Sequence, residues 1–164
     1  MERPRIKFQL TTMDWTLEIL GFGCLITLIV YPIIYFNELP EIIPRHFSML
    51  GKPNGFGNKS NIWLMPVITT IVFISLTFAQ RFPHRLNYLF DITHENAERQ
   101  YKNAILMLRV MKTMIAIEFL YMSYSTIQIS LGHISERGIL HAPIFLFVIL
   151  GSVVAFAYRN AKLK

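Results

Sequence analysis

Residues 15–37 read WTLEILGFGCLITLIVYPIIYFN, and Glu18 is the one charged side chain in this stretch. A helix rises about 1.5 Å per residue, so about 20 apolar residues cover the roughly 30 Å hydrocarbon core of a bilayer. The stretch has that length and contains no polar run. It therefore predicts a transmembrane helix, with a kink near Pro32 at its far end.

Three further blocks repeat this composition, since residues 60–80, 113–135 and 138–158 contain a single charged side chain between them, Glu118. The chain is 53% hydrophobic and 16% charged, whereas soluble domains carry about 25% charged residues. These blocks exclude a soluble globular protein and a disordered one. We predict an all-α integral membrane protein, one domain of residues 1–164 with four transmembrane helices at about 15–36, 61–79, 113–131 and 139–158.

Lysine and arginine are distributed unevenly between the two sides that such spans create. Of the 16 basic residues, three lie in the N-terminal arm, six in residues 80–112 and three in the tail, against four on the other side. Cytoplasmic loops carry the excess of basic residues, so we predict that both termini lie inside. Residues 37–60 then form an extracytoplasmic loop, and residues 80–112 form a cytoplasmic segment.

The second half of the cytoplasmic segment has helical character. Glu95 and Arg99, and likewise Glu98 and Lys102, are four residues apart in the order that stabilises a helix. No proline or glycine interrupts the chain from here to about Ser130, so we predict a long third helix that extends into the cytoplasm. The net charge of +6 indicates anionic lipid rather than nucleic acid as partner, because the basic residues cluster beside apolar blocks.

The extracytoplasmic loop is rich in proline and glycine. Residues 38–60 read ELPEIIPRHFSMLGKPNGFGNKS. Proline fixes φ and glycine permits positive φ, so this composition suits one defined set of turns. We predict an ordered loop over the outer ends of the helices, which serves either as a cap alone or as a surface that recognises a ligand or partner.

Two motifs resemble those of a known family. The loop carries L-P-x-x-I-P-x-H-F followed by G-x-x-x-G-F-G-x-K at residues 39–59, and residues 87–101 read NYLFDITHENAERQY. Both resemble the bacterial domain of unknown function 1648, which also forms the N-terminal part of SdpI-type immunity membrane proteins. The motif positions that the resemblance singles out as ligand candidates are Pro40, Pro44, His46, Phe47, Gly51, Gly55, Gly57, Lys59, Asn87, Tyr88, Glu95, Asn96, Arg99 and Tyr101.

The resemblance implies a non-enzymatic protein of the bacterial cytoplasmic (inner) membrane. SdpI-type proteins protect a producing cell against its own secreted toxin and sequester a repressor at the membrane. By that likeness, the outer loop is expected to recognise an extracellular peptide or an envelope component, and residues 81–112 to bind a cytosolic regulator. We expect no cofactor for such a function.

Three histidines indicate an alternative function. His46, His133 and His141 all lie on the outer side in the predicted topology, near glutamates of the same segments. Neutral imidazoles together with a carboxylate form zinc sites in proteins. The alternative is therefore an extracytoplasmic metal-dependent hydrolase, which requires the three side chains to converge.

Glu18 and Glu118 are the charged residues inside the apolar blocks. Ionisable residues in a membrane span are costly and are often functional. One interpretation is that each pairs with a basic residue at the inner end of another span, such as Arg81 or Arg159. The other is a small ion- or proton-linked transporter, in which both carboxylates face a water-filled cavity.

Overall fold

The structure is a computed structural model that describes residues 3–7 and 9–162, so Lys164, one of the three basic residues of the tail, lies outside the described residues. Short 3-10 turns occupy Lys59–Trp63 and Pro83–Arg85. The described part of the chain forms four helices and two strands, namely α1 (Thr12–Tyr35), β1 (Ile42–Phe47), β2 (Pro53–Asn58), α2 (Leu64–Ala79), α3 (Ala97–Ser130) and α4 (His141–Lys162).

α1 begins where Thr11 and Asp14 cap each other. The Asp14 backbone N–H donates to Thr11 Oγ1 at 3.2 Å, and the Thr11 N–H donates to Asp14 Oδ2 at 2.8 Å. This capping box satisfies backbone donors that the first turn of a helix leaves free. The helix then continues through Pro32 and ends at Tyr35, close to the predicted span of 15–36.

Within the described residues, three helical segments are long and apolar enough to cross a membrane: Thr12–Tyr35, Lys59–Ala79 and His141–Lys162. The protein buries at most 22% of the apolar stretch in each, which leaves most of their surface for lipid. Three of the four predicted spans are thus supported by length and composition. α3 is not among them, because Glu118 and several amide and hydroxyl side chains interrupt its apolar surface. Its crossing of the membrane and the inside–outside orientation stay predictions.

α3 is the longest helix, and it packs against each of the other three. It runs without interruption from Ala97 to Ser130, as the sequence predicts for a long third helix. α1 lies parallel to it, since Asp14 contacts Arg109 near one end and Tyr31 contacts Gln128 near the other. Where α1, α2 and α3 meet, they bury a small apolar cluster of Leu25, Phe73 and Ala116.

α4 runs antiparallel to α3 and is displaced along it. His141, at the start of α4, bonds with Glu118 rather than with the end of α3. Near the other end of α4, the carbonyl of Asn160 accepts a hydrogen bond from Gln100 Nε2 at 3.0 Å. Residues 131–140 therefore run back along α3 before α4 begins. At 1.5 Å per residue, the start of α4 lies about 18 Å along the axis from the C-terminal end of α3.

The predicted extracytoplasmic loop contains a β-hairpin, so the all-α fold class is wrong at this point. β1 and β2 pair antiparallel, with Ile43 opposite Gly57 and Phe47 opposite Pro53. Register shifts around His46 mark bulges, which increase the local twist. The sequence signal is two adjacent β-branched residues, a glycine-containing turn and an aromatic residue between glycines. Each strand has six residues, and the prolines in them obscured that pattern.

Candidate functional site

The turn of the hairpin is fixed to the segment between α3 and α4 by Gly51. Its φ of +78° is a conformation in which L side chains are strained. Its carbonyl accepts a hydrogen bond from the Arg137 backbone N–H at 2.8 Å. A Cβ at this position would lie 1.6 Å from the Arg137 carbonyl oxygen. Two independent constraints therefore require glycine here.

Arg137 also connects the hairpin to α3 with its side chain. The residue is 4% exposed, and its guanidinium donates to Ser125 Oγ and Thr126 Oγ1, both at 2.8 Å. The guanidinium carbon lies 3.8 Å from the ring centroid of Phe47 on β1. Burial lowers the pKa of Arg137 to about 10, so the side chain is still charged at neutral pH. Hydroxyl acceptors and an aromatic face hold this buried charge, a role that no spacing in the sequence indicates.

The base of the hairpin is held by Lys59 and by a small apolar core. Lys59 Nζ lies 2.9 Å from a carboxylate oxygen of Glu41, and its backbone N–H donates to the Glu41 carbonyl at 2.9 Å. The ammonium also lies 5.3 Å from the ring centroid of Phe36. The hairpin is thus attached to the helices at its base as well as at its turn. The buried side chains beneath it are Leu39, Ile43, Ile62 and Ile127.

Two more glycines of the loop motif allow close packing within the hairpin and against the turn that precedes α2. A Cβ on Gly55 would lie 3.0 Å from the Cβ of His46, and a Cβ on Gly57 would lie 2.7 Å from Asn61 Nδ2. Both distances are shorter than ordinary van der Waals contact. These motif positions therefore have a structural reason to be glycine, and His46 packs against one of them.

The hairpin presents a partly apolar surface away from the helices. Met49 in the turn is 96% exposed, and Phe56 on β2 is 61% exposed. Large apolar side chains that an ordered element leaves exposed are typical of interaction sites. Pro44 is buried, whereas the exposed positions in and beside the hairpin include Pro40, Ile42, Arg45, His46, Met49, Leu50 and Phe56.

The structure does not bring His46, His133 and His141 together. His133 bonds with Gln128 at 2.7 Å, His141 bonds with Glu118 at 2.8 Å, and His46 lies on β1. Within residues 3–7 and 9–162, no group of three or more His, Cys, Asp and Glu side chains could hold a metal ion. The predicted zinc site is therefore not formed by these histidines. The reason is the return of the chain along α3, which separates the two ends of the segment between α3 and α4.

Glu18 belongs to an ion-pair cluster between α1 and α3. Its carboxylate accepts from Arg109 Nε at 3.0 Å and from Lys112 Nζ at 2.7 Å. Arg109 also pairs with Asp14, which lies one turn before Glu18. The fully buried Lys112 donates further to Thr77 Oγ1 on α2 at 2.9 Å. Two carboxylates and two cations thus compensate each other where three helices meet.

Both carboxylates of the apolar blocks are paired, but the predicted partners are wrong. The sequence indicated Arg81 or Arg159, whereas Glu18 pairs with the basic residues of α3 and Glu118 pairs with His141. The displacement of α4 explains the second pair, because it places the first turn of α4 beside the middle of α3. Neither glutamate lines the cavity of about 440 Å³ near the start of α1, so a transporter gains no support from this geometry.

The second motif, residues 87–101, forms the segment before α3 and the first turn of that helix. The Thr93 N–H donates to Asn96 Oδ1 at 2.9 Å, and Asn96 Nδ2 donates to the Asp91 carbonyl at 3.0 Å. A side-chain amide that bonds nearby backbone in this way fixes a turn before a helix. Asn96 is therefore a structural residue, whereas Asn87, Glu95 and Arg99 are exposed.

The two tyrosines of this motif pack together and hold the N-terminal arm. The ring centroids of Tyr88 and the buried Tyr101 are 5.7 Å apart. The Tyr88 hydroxyl donates to the Pro83 carbonyl at 2.9 Å, and burial raises the pKa of Tyr88, so it stays protonated. Arg3 donates to the Leu86 carbonyl at 2.6 Å and lies 5.5 Å from the Tyr88 ring centroid. The arm is thus tied to the segment that precedes α3.

Comparison with known proteins identifies part of this architecture. Residues 22–70 match the family described as Domain of unknown function (DUF1648). That range includes the second half of α1, the hairpin and the start of α2, so the resemblance drawn from the loop motif is confirmed. An uncharacterized protein of Archaeoglobus fulgidus is 26% identical over 144 residues, which is 77% of this chain and 76% of that protein. No solved structure matches the chain significantly.

Proposed function

We propose, with the DUF1648 match of residues 22–70 as premise, that this is a non-enzymatic four-span protein of the bacterial cytoplasmic membrane. Both termini lie inside, and the hairpin recognises an extracytoplasmic peptide or envelope component. The component that fits the SdpI-type resemblance best is a membrane-active peptide against which the protein protects its cell.

One observation carries this proposal: the hairpin is firmly attached and yet exposes large apolar side chains. Gly51 and Arg137 fix its turn to the segment after α3, while Met49 and Phe56 project into solvent. Apolar surface in water costs free energy that a binding partner recovers. A surface that is already ordered also binds with a smaller loss of conformational entropy. A membrane-active peptide supplies the complementary apolar surface.

A cytosolic regulator at residues 81–112 is the second half of the proposal. The part of this segment that precedes α3 exposes Leu89 and several polar side chains, including Arg85 and Asn87. An exposed leucine beside a basic residue suits a partner with an acidic, partly apolar surface. If a photo-crosslinker at Leu89→Cys captures no cytosolic protein in growing cells, this half of the proposal is wrong.

The orientation predicts which positions react with a membrane-impermeant maleimide. In a Cys24→Ser background, which removes the one native cysteine, Met49→Cys is expected to label in intact cells. Leu89→Cys is expected to label only after the cells are opened. The reverse pattern would show that the hairpin faces the cytoplasm, and labelling of both sites in intact cells would contradict the four-span topology.

Phe56→Ala is expected to reduce protection by the hairpin. A sensitive strain that expresses the protein is challenged with a panel of membrane-active peptides, and inhibitory concentrations are compared with those of the empty strain. Loss of one apolar anchor at the centre of an interface costs about tenfold in affinity or more, so a similar fall in protection is expected.

Phe147→Ala is the matched control for this experiment. Phe147 lies on α4, far along the chain from the hairpin, and is 78% exposed, so the same truncation there removes lipid-facing surface alone. Protection is expected to be unchanged. Equal losses in the two variants, or a panel in which no peptide distinguishes the expressing strain from the empty one, would count against recognition by the hairpin.

A further inference from the structure

A cavity of about 440 Å³ lies between the start of α1, the first half of α3 and the end of α4. It exists because α4 is displaced along α3. Asn103 Nδ2 donates to the Phe156 carbonyl at 3.2 Å, and Gln100 Nε2 donates to the Asn160 carbonyl at 3.0 Å. These bonds hold the last turns of α4 against a part of α3 that α1 does not reach. The volume lies within the range of small-molecule sites.

The wall of this cavity carries an excess of positive charge. Of the described residues, four basic side chains line it, Arg99, Lys102, Arg109 and Arg159, against one carboxylate, that of Asp14. Lys102 is paired with Glu98 outside the wall. Asp14 is already paired with Arg109. The side chains of Arg99 and Arg159 form no hydrogen bond or ion pair with any residue that the structure describes. Their two charges are therefore available to an anionic ligand.

The uncharged remainder of the wall is divided evenly between polar and apolar side chains. Leu10 and Met13 contribute from the α1 side, and Ile105 and Leu106 contribute from α3. Inorganic phosphate would use the cationic part of this surface and leave the apolar part in contact with water. A molecule that joins a phosphate to hydrocarbon matches both parts. The cavity also lies at the ends of α1 and α4, two of the helices suited to crossing a membrane, where lipid headgroups are found.

We propose that this cavity binds an anionic phospholipid by its phosphate headgroup. Arg99 and Arg159 bind the phosphate oxygens, and the glycerol and first acyl carbons lie along Met13 and Leu106. Arginine suits this role because its planar guanidinium can donate two hydrogen bonds to one phosphate. Basic pockets between transmembrane helices on the cytoplasmic side are suited to such headgroups. The bound lipid neutralises the two guanidinium groups that have no partner among residues 3–7 and 9–162.

Native mass spectrometry of the full-length protein in mild detergent tests this assignment. The probes are phosphatidylglycerol, phosphatidylcholine as the zwitterionic control, and inorganic phosphate as the headgroup anion alone. Phosphatidylglycerol is expected to bind in preference to phosphatidylcholine. The double variant Arg99→Gln/Arg159→Gln is expected to bind it about tenfold more weakly or worse.

Two further double variants control for net charge and for geometry. Arg81→Gln/Arg85→Gln removes the same charge from exposed positions outside the cavity and is expected to bind the lipid as the wild type does. Arg99→Lys/Arg159→Lys keeps the charge and is expected to retain part of the affinity. Since Arg99 and Arg159 are exposed, the glutamine variant is expected to unfold at the wild-type temperature when no lipid is added.

The same measurements can overturn the proposal. Equal binding of the two lipids would do so, as would equal losses in the cavity variant and the Arg81/Arg85 variant. If inorganic phosphate binds as tightly as phosphatidylglycerol and displaces it, the cavity belongs to a soluble phosphate compound and the lipid assignment is wrong. Co-purification of a protein in place of lipid at this site would also reject it.

Discussion

Replacing Gly51 by alanine is expected to lower the unfolding temperature of the purified protein and to expose the hairpin to trypsin at the neighbouring Lys52. The new Cβ would lie 1.6 Å from the Arg137 carbonyl oxygen, so the turn must move away and lose its hydrogen bond to the Arg137 N–H. Strain at a φ of +78° adds to that loss. A destabilisation of about 3 kcal/mol or more is expected. Thermal unfolding in detergent and limited proteolysis measure the two effects.

Gly132 provides a control that separates strain from steric conflict. Its φ is +76°, almost the same as that of Gly51, but a Cβ there would meet no atom within 4 Å. Gly132→Ala is therefore expected to cost only the conformational strain, about 1–2 kcal/mol, and to leave the hairpin resistant to trypsin. Equal effects of the two substitutions would mean that the contact with Arg137 does not hold the turn.

Glu18→Gln is expected to have the other large effect on stability. The substitution removes the carboxylate that pairs with the buried Lys112. The ammonium then keeps its contacts with the Thr77 hydroxyl and with the Phe73 ring, whose centroid lies 4.6 Å from Nζ. Removal of one partner from a buried ion pair costs about 3–5 kcal/mol, because the other charge is left uncompensated. Lys112→Met is expected to destabilise the protein for the converse reason. Denaturant unfolding in detergent gives the free energies.

The double variant Glu18→Gln/Lys112→Met is expected to be more stable than the sum of the single effects predicts, since it removes both charges together. The matched control is the exposed pair Glu98 and Lys102 on α3, with side chains 58% and 54% exposed. The same substitutions there are expected to show a coupling of about 0.5 kcal/mol or less. If the buried pair couples no more strongly than the exposed pair, the cluster does not stabilise the helices through charge.

The sequence predicted the helices, because their formation depends on residues that are close together in the chain. Apolar length indicated the helices that became α1, α2 and α4, and the absence of glycine and proline indicated that α3 continues without a break. The hairpin was missed because its two strands are short and contain Pro44 and Pro53, which argue against regular pairing. The proline-rich composition correctly indicated defined turns, but it did not indicate which backbone groups would pair.

Contacts between distant positions explain why the site was harder to predict. Asp14 and Glu18 are one turn apart on α1, as Arg109 and Lys112 are on α3, so each pair lies on one face of its helix. The sequence did not indicate that these faces of α1 and α3 contact each other. The predicted topology placed the three histidines on the same side of the membrane. A shared side does not determine the distances between their side chains, and the structure keeps them apart.

α1 and α4 are offset along α3, so a protein that stands upright in a lipid sheet of uniform thickness does not centre both helices in the hydrocarbon layer. Each helix has about the length that the layer requires. α4 begins about 18 Å along the axis of α3 from the C-terminal end of that helix, beside which α1 ends. The surrounding lipid must therefore slope from one flank of the molecule to the other, or the whole protein must lean until the two apolar bands align, at a cost of fractions of a kcal/mol for each ångström of mismatch. Either way, the offset of α4 along α3 determines how the protein sits in the bilayer.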